Sequence, residues 1–279
     1  KKRMSENTIR VSQSVIKALT DYVDDKKCGL VVERQYIKGE KIPASDAQAL
    51  GNWFEYECTG ALPPYDPKVP EPKLLKSGKM SVAYTRMLPH IENYKAAIEH
   101  YKVTDITPGV ELKYGNIAGT ADIIAKIDGK PVIIDIKTTG LFDDKWNDYG
   151  WRTDHLAGEF RPKIGLLTQP LHYKWLYKQI HGVDPDFYFW VFSTQNSHDF
   201  KIIKVNIEED LYEEHTQEIQ STVNFLLHTF ENGFKPKPSI SRCAKCYFKD
   251  DCEYKKSIPE IEEVWYSTNI KHLGRHIGD

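Results

Sequence analysis

Three charged side chains stand where an apolar strand should hold none. Residues 119–140 read Gly-Thr-Ala-Asp-Ile-Ile-Ala-Lys-Ile-Asp-Gly-Lys-Pro-Val-Ile-Ile-Asp-Ile-Lys-Thr-Thr-Gly. Ile123, Ile124 and Ile127 mark one strand, and Val132, Ile133, Ile134 and Ile136 mark a second. Asp128-Gly129 between them is a hairpin turn signal. Asp122, Asp135 and Lys137 interrupt this ribbon. Side chains two positions apart on a strand share a face, so Asp135 and Lys137 point the same way. Burying an unpaired charge is costly, which demands partners for all three. Two carboxylates and an ammonium converging on one spot can be balanced by a divalent ion and a phosphate. Phosphodiester hydrolysis needs an activated water, charge stabilisation on phosphorus and a stabilised leaving oxygen, most of which Mg²⁺ or Mn²⁺ can supply. Hard ions take carboxylates and carbonyls, so Asp122, Asp135 and the Ile136 carbonyl are the candidate ligands. Lys137 can orient the water or offset phosphate charge. The plainer alternative is a pair of solvated strand acids beside a surface lysine.

A second constellation lies near the C-terminus. Cys243, Cys246 and Cys252 form C-x2-C-x5-C. A C-x-x-C turn puts two sulfurs on one metal. Three thiols leave one ligand missing, and Cys28 and Cys58 are the candidates to complete the set. Cysteines packed without a ligand are the alternative. Residues 235–256 also carry seven Lys or Arg against three acids. That local surplus suits a DNA backbone as well as it suits a solvated loop.

The elements that must position these groups follow from periodicity. A helix is expected over 12–27, a short strand over Leu30–Tyr36, a helix from Ser45 to Glu57 and another from Ser81 to Tyr101 with Pro89 as a kink site. The Pro-rich stretch from Leu62 to Pro72 is expected to be an ordered loop or a lid. A strand over 109–117 leads into the hairpin. A polar loop with Trp146, Tyr149 and Trp151 follows, whose rings could stack bases or pack the loop down. A helix over 163–181, strands over Phe187–Thr194 and Lys201–Ile207, and a long helix from Glu208 to Asn232 complete the pattern, with Gly233 as stop signal. The expected fold class is α/β, a mixed central β-sheet flanked by helices.

Composition narrows the function. The 279-residue chain is 40% hydrophobic and 12% aromatic. Such a chain can build a core. Its net charge is −2. That excludes a globally basic nucleic-acid binder, so any polyanion site must be local. No membrane span is expected, because no apolar run reaches the roughly 18 residues one needs. The opening Lys-Lys-Arg-Met-Ser lacks an apolar signal core. Five cysteines, an odd number, argue against a disulfide framework. A cytoplasmic location is expected. No P-loop or dinucleotide fingerprint is present.

Gly-x-x-Asp122, twelve residues, then Asp135-Ile-Lys137 resembles the core of PD-(D/E)XK nucleases, most closely the RecB/AddB-type branch with its CRISPR-associated and phage relatives. That branch has a Gln-x-x-x-Tyr helix after the strands, and Gln169-Pro-Leu-His-Tyr173 matches it. It also has an upstream Gly-x-x-x-His metal ligand. Here Gly51-Asn-Trp-Phe-Glu55 stands in that position, with Glu replacing His. The resemblance therefore makes Glu55 an additional metal ligand, with Glu57 less suited and Glu111 able to approach. Some members hold an iron–sulfur cluster on three C-terminal cysteines and one early cysteine that follows a Ser-x-Ser helix. Ser12-Gln-Ser14…Tyr22…Cys28 is similar to that segment, so the resemblance selects Cys28, with Cys58 in reserve. A [4Fe–4S] cluster on Cys28, Cys243, Cys246 and Cys252 is implied, zinc being the alternative.

The resemblance implies a restriction-endonuclease-like core over 105–234, a helical region over 1–104 and a cysteine region over 235–279, with a cluster clamping the two ends. It implies a metal-dependent deoxyribonuclease, an exonuclease on single-stranded DNA ends, of prokaryotic or phage origin, with a recombination or CRISPR protein as the expected kind of partner. A non-catalytic DNA-end-binding module and a restriction-type endonuclease are the alternatives.

Overall fold

A computed structural model of the chain describes residues 10–62, 68–142, 151, 168–257 and 259, and the backbone alone of 153–154, 159–160, 265–266 and 275–276. Its elements run α1 (Gln13–Val23), α2 (Gly29–Val32), α3 (Asp46–Thr59), α4 (Val82–His100), β1 (Thr104–Tyr114), β2 (Ile117–Ile127), β3 (Lys130–Thr139), α5 (Thr168–His181), β4 (Asp186–Ser193), β5 (Phe200–Val205), α6 (Glu209–Asn232) and α7 (Ile240–Ala244). The described residues fall into two compact units, one within 1–19 and 43–232, the other within 20–42 and 233–279.

The first unit is built on a five-stranded mixed sheet in the order β1-β2-β3-β4-β5. Strands β1, β2 and β3 form an antiparallel meander, β4 runs parallel to β3, and β5 returns antiparallel to β4. The β2–β3 turn has Asp128 at φ 50° and Gly129 at φ 76°. A double positive φ is the mark of a tight hairpin turn. A parallel neighbour requires a crossover. The chain between β3 and β4 contains α5. Alternation along the strands sends Ile123, Ala125, Val132, Ile134 and Ile136 to one face. There they form a core with Leu50, Trp53 and Phe54 of α3, Tyr84, Met87 and Tyr94 of α4, and Trp190 and Phe192 of β4. The rings of Phe54 and Phe192 meet edge to face at 4.9 Å. Each such buried ring contributes roughly 1.5–3 kcal/mol.

Helix α3 starts on a capping box. Ser45 Oγ accepts from Gln48 N at 3.3 Å, and Gln48 Oε1 accepts from Ser45 N at 2.9 Å. Trp151 packs with its ring 5.0 Å from that of Phe189. Lys201 Nζ donates to the carbonyls of Phe142 and Trp151 at 3.1 and 2.9 Å, holding these two residues beside β5. Trp146 and Tyr149 lie outside the described residues.

Two sequence expectations change. Leu30–Tyr36 is helical, with α2 continuing as a wide π-turn over Glu33–Ile37. A short apolar run has no periodicity to separate strand from helix. Local packing decides. A Cβ at Gly29 would overlap the Lys235 carbonyl. The glycine therefore permits a close approach of backbone to backbone. The strand placed over 109–117 is instead β1 from Thr104 to Tyr114, followed by a turn at Gly115-Asn116 before β2.

Candidate active site

The β2–β3 ladder runs from Ile127↔Lys130 to Ile123↔Ile134 and stops there. Asp122 and Asp135 are the next facing pair. Beyond them β2 stays paired with β1, and β3 stays paired with β4 as far as Thr139, so the sheet forks at the two acids. The fork follows from side-chain chemistry. Asp122 Oδ2 accepts the Ile136 N–H at 2.7 Å. It thus takes a donor that a strand carbonyl would otherwise use.

Asp135 is 1% exposed. Its Oδ1 accepts from Gln169 Nε2 of α5 at 2.5 Å. Its Oδ2 forms an ion pair with Lys137 Nζ but accepts no well-aligned hydrogen bond. Such an under-satisfied buried oxygen calls for an explanation. Tyr173 explains the motif glycine. A Cβ on Gly119 would overlap the Tyr173 ring. Only glycine lets α5 lie on β2 there. Gly51 lets α3 come close to β3, where an added Cβ would stand 3.3 Å from Thr138 Oγ1. Glu55 lies one turn further along α3.

Glu55, Asp122, Ile136, Lys137, Gln169 and Tyr173 line one cavity of about 720 Å³. Asp135 sits beneath Lys137 and Gln169. Of the other acids considered, Glu57 is exposed, and Glu111 pairs with Arg10 at 3.1 Å without lining the cavity. Sequence reasoning missed Gln48 and Asn52, which also line it. They stand seven and three residues before Glu55. That spacing puts them on its helix face, the signal that could have found them.

The electrostatics are those of crowded buried carboxylates. Burial first, and then the Asp135 charge, push Glu55 up to about 7, with Lys137 opposing. Both causes disfavour the charged form of an acid. Burial, Asp135 and Glu55 hold Asp122 well above the usual carboxylate range. Burial raises Asp135 too, against the pull of Lys137. Burial disfavours the Lys137 charge, yet Asp135, Asp122 and Glu55 together raise its pKa. Three carboxylates face one ammonium, so the site has too few cations. That surplus and the under-satisfied Asp135 oxygen fit a hard divalent ion. Among the described residues no three acidic, His or Cys side chains converge closely enough to hold an ion as they stand. Asp122 and Asp135 are turned to the protein partners named above.

The second unit contains the thiols. Cys28, Cys243, Cys246 and Cys252 line one cavity of about 990 Å³. Burial raises the Cys246 pKa, as do the three neighbouring thiols, with the Phe248 N–H opposing. Backbone N–H groups of Lys237 and Lys256 donate to Cys28 and Cys243 sulfurs at 3.3 and 3.4 Å. Such donors suit thiolate ligands. Cys58 instead packs against the α3–α4 core of the first unit.

No helix among the described residues is long and apolar enough to cross a membrane. No curated protein matches the chain. A solved structure from Eubacterium rectale, assigned provisionally as an exonuclease, is similar at 18% identity and a TM-score of 0.62, over 91% of this chain and 92% of that one. An alkaline exonuclease from Laribacter hongkongensis aligns at 10% identity over 81% of this chain and 93% of that one, with a TM-score of 0.35 that carries no weight. The Eubacterium likeness concerns the fold alone. Matching over residues 99–251, more than half of its 279 residues, the chain belongs to the family of PDDEXK-like domains of unknown function (DUF3799).

Proposed function

We propose that the chain is a metal-dependent deoxyribonuclease of the RecB/AddB type, an exonuclease acting on single-stranded DNA ends in the cytoplasm of a prokaryote or its phage. One observation carries the reading. A buried carboxylate, Asp135, is held between Lys137 and Gln169 and faces Asp122 where the β2–β3 ladder ends. Solvated strand acids need no such support.

Asp122, Asp135, Glu55 and the Ile136 carbonyl would hold Mg²⁺ or Mn²⁺, which supplies Lewis acidity and a more acidic water when bound. Gln169 fixes the rotation of the Asp135 carboxylate. Lys137, partly exposed at the cavity, orients the attacking water or offsets charge on the phosphate. Tyr173 and the α3 face wall the site. The nuclease core covers residues 105–234, and residues 1–104 add Glu55 and Cys28. Residues 235–279 add three cysteines, and the four thiols would hold a [4Fe–4S] cluster or, alternatively, zinc. A recombination or CRISPR protein is the expected kind of partner.

The competing reading is a DNA-end-binding module that keeps the fold without cleaving. It draws on the turned-in carboxylates, which do not converge as ligands. Linear and covalently closed single strands incubated with Mn²⁺, and with EDTA as control, separate the possibilities. The expected result is mononucleotide or short-oligomer release from linear strands only. Cutting of circles overturns the exonuclease assignment, and no cutting of either supports the binding module.

A further inference from the structure

Two buried histidines in the first unit take no part in the reaction described above. His172 lies on α5, three residues after Gln169 and one before Tyr173, and is fully buried. Its Nε2 is 3.2 Å from the Ala118 carbonyl of β2. A carbonyl only accepts, so that nitrogen carries a hydrogen. Its Nδ1 is 3.1 Å from Nε2 of His215 on α6. Burial, and then the His215 ring, hold His172 down at about 4. Nδ1 is therefore bare at neutral pH and accepts from His215. His215 Nδ1 in turn lies 3.0 Å from Glu218 Oε2. A carboxylate only accepts, so His215 donates from both ring nitrogens, to Glu218 on one side and to His172 on the other, and the tautomer of His172 is set by its neighbours.

This line ties three elements together, α6 through Glu218 and His215, α5 through His172, and β2 through Ala118. Ala118 immediately precedes Gly119, on which the Tyr173 ring lies. A ring on a glycine and the nearby Leu176 contact are apolar and permit sliding. A hydrogen bond weakens steeply as its geometry is lost, so the His172 bond is a directional contact in this α5–β2 seam. A shift of α5 along β2 would carry Gln169 away from Asp135. A misplacement of about 1 Å costs on the order of 100-fold in rate where it reaches reacting groups.

We propose that His172 is a positioning residue: it locks α5 to β2 at Ala118 and thereby holds Gln169 on the Asp135 carboxylate and Tyr173 over Gly119. His215 and Glu218 keep the ring in the donating tautomer. The inference rests on the nuclease reading.

The test is a double-mutant cycle on linear single strands in Mn²⁺, with a urea melt for every variant. His172→Leu is expected to lower kcat by about tenfold or more with little change in KM. In a Gln169→Ala background the same substitution is expected to change kcat less than about twofold, because the residue it acts through is gone. His172→Gln, which keeps a donor for Ala118, is expected to recover most of the loss. Where His172→Leu does not fold, Glu218→Gln at the exposed end of the line replaces it, with a smaller loss and the same disappearance in the Gln169→Ala background. Equal losses in both backgrounds, or activity tracking melting alone, overturn the proposal. Asp135→Asn is the control for the nuclease reading: cleavage at the wild-type rate by that variant, or none by wild type, overturns both.

Discussion

Glu55 should make the metal-free protein less stable above about pH 7 than in mild acid. Its carboxyl moves from an ordinary 4.5 to about 7, because burial and the Asp135 charge both oppose ionisation. The unfolded chain releases this proton near the ordinary value, whereas the folded chain keeps it until about 7. The folded state therefore binds more protons within that window. Stability from this group is full below about 4.5, falls as pH rises, and is lost above about 7. At about 1.4 kcal/mol per tenfold, forcing the ionisation costs roughly 3 kcal/mol. Asp122 and Asp135 are raised too and add in the same direction. Glu55→Gln removes the charge and keeps the shape. In urea melts with EDTA the variant should exceed wild type by up to roughly 3 kcal/mol at about pH 8 and match it near pH 4. Mn²⁺ should then raise the wild-type midpoint more than the variant's, and the variant should cleave poorly. A stabilised variant with lost activity is the usual trade at a strained site. A variant no more stable at pH 8 than wild type refutes the reasoning.

Other consequences are equally direct. Gly119→Ala drives a methyl into the Tyr173 ring. It should cost about 1–3 kcal/mol, and adding Tyr173→Ala should return most of it, read by urea melts. Phe192→Ala empties a fully buried site between Phe54 and His90. It should cost roughly 3–5 kcal/mol in the same assay. Cys246→Ser should lower the iron or zinc bound per chain, checked by metal analysis and by the visible spectrum.

Much of this arrangement was legible in the chain because it rests on local rules. The hairpin is written in Asp128-Gly129, the start of α3 in Ser45, and the end of α6 in Gly233, whose φ is 77°. The charges of Asp122, Asp135 and Lys137 were visible because they break an apolar pattern. What the chain could not show is which tertiary partner each group meets. That α5 would reach Asp135 through Gln169 and rest on Gly119 depends on the crossover, with no local signal. The same holds for His172, whose role depends on His215, 43 residues away. Residues 30–36 read as a strand because their apolar run is too short to carry a period. The Gly29 approach to Lys235 joins segments far apart in the chain. Cys28 and Cys58 could not be separated by spacing, and their surroundings differ plainly: Cys28 lines the cavity of the other thiols, and Cys58 packs in a core.

The central claim is that the fork between β2 and β3 is a hydrolytic centre. Its most direct measurement is the rate of acid-soluble nucleotide release from end-labelled linear single strands in Mn²⁺, for wild type and Asp135→Asn prepared together and shown by melting to be folded. The account predicts release by wild type that stops with EDTA and a fall of at least about 100-fold in the variant. Equal release by both proteins would contradict it.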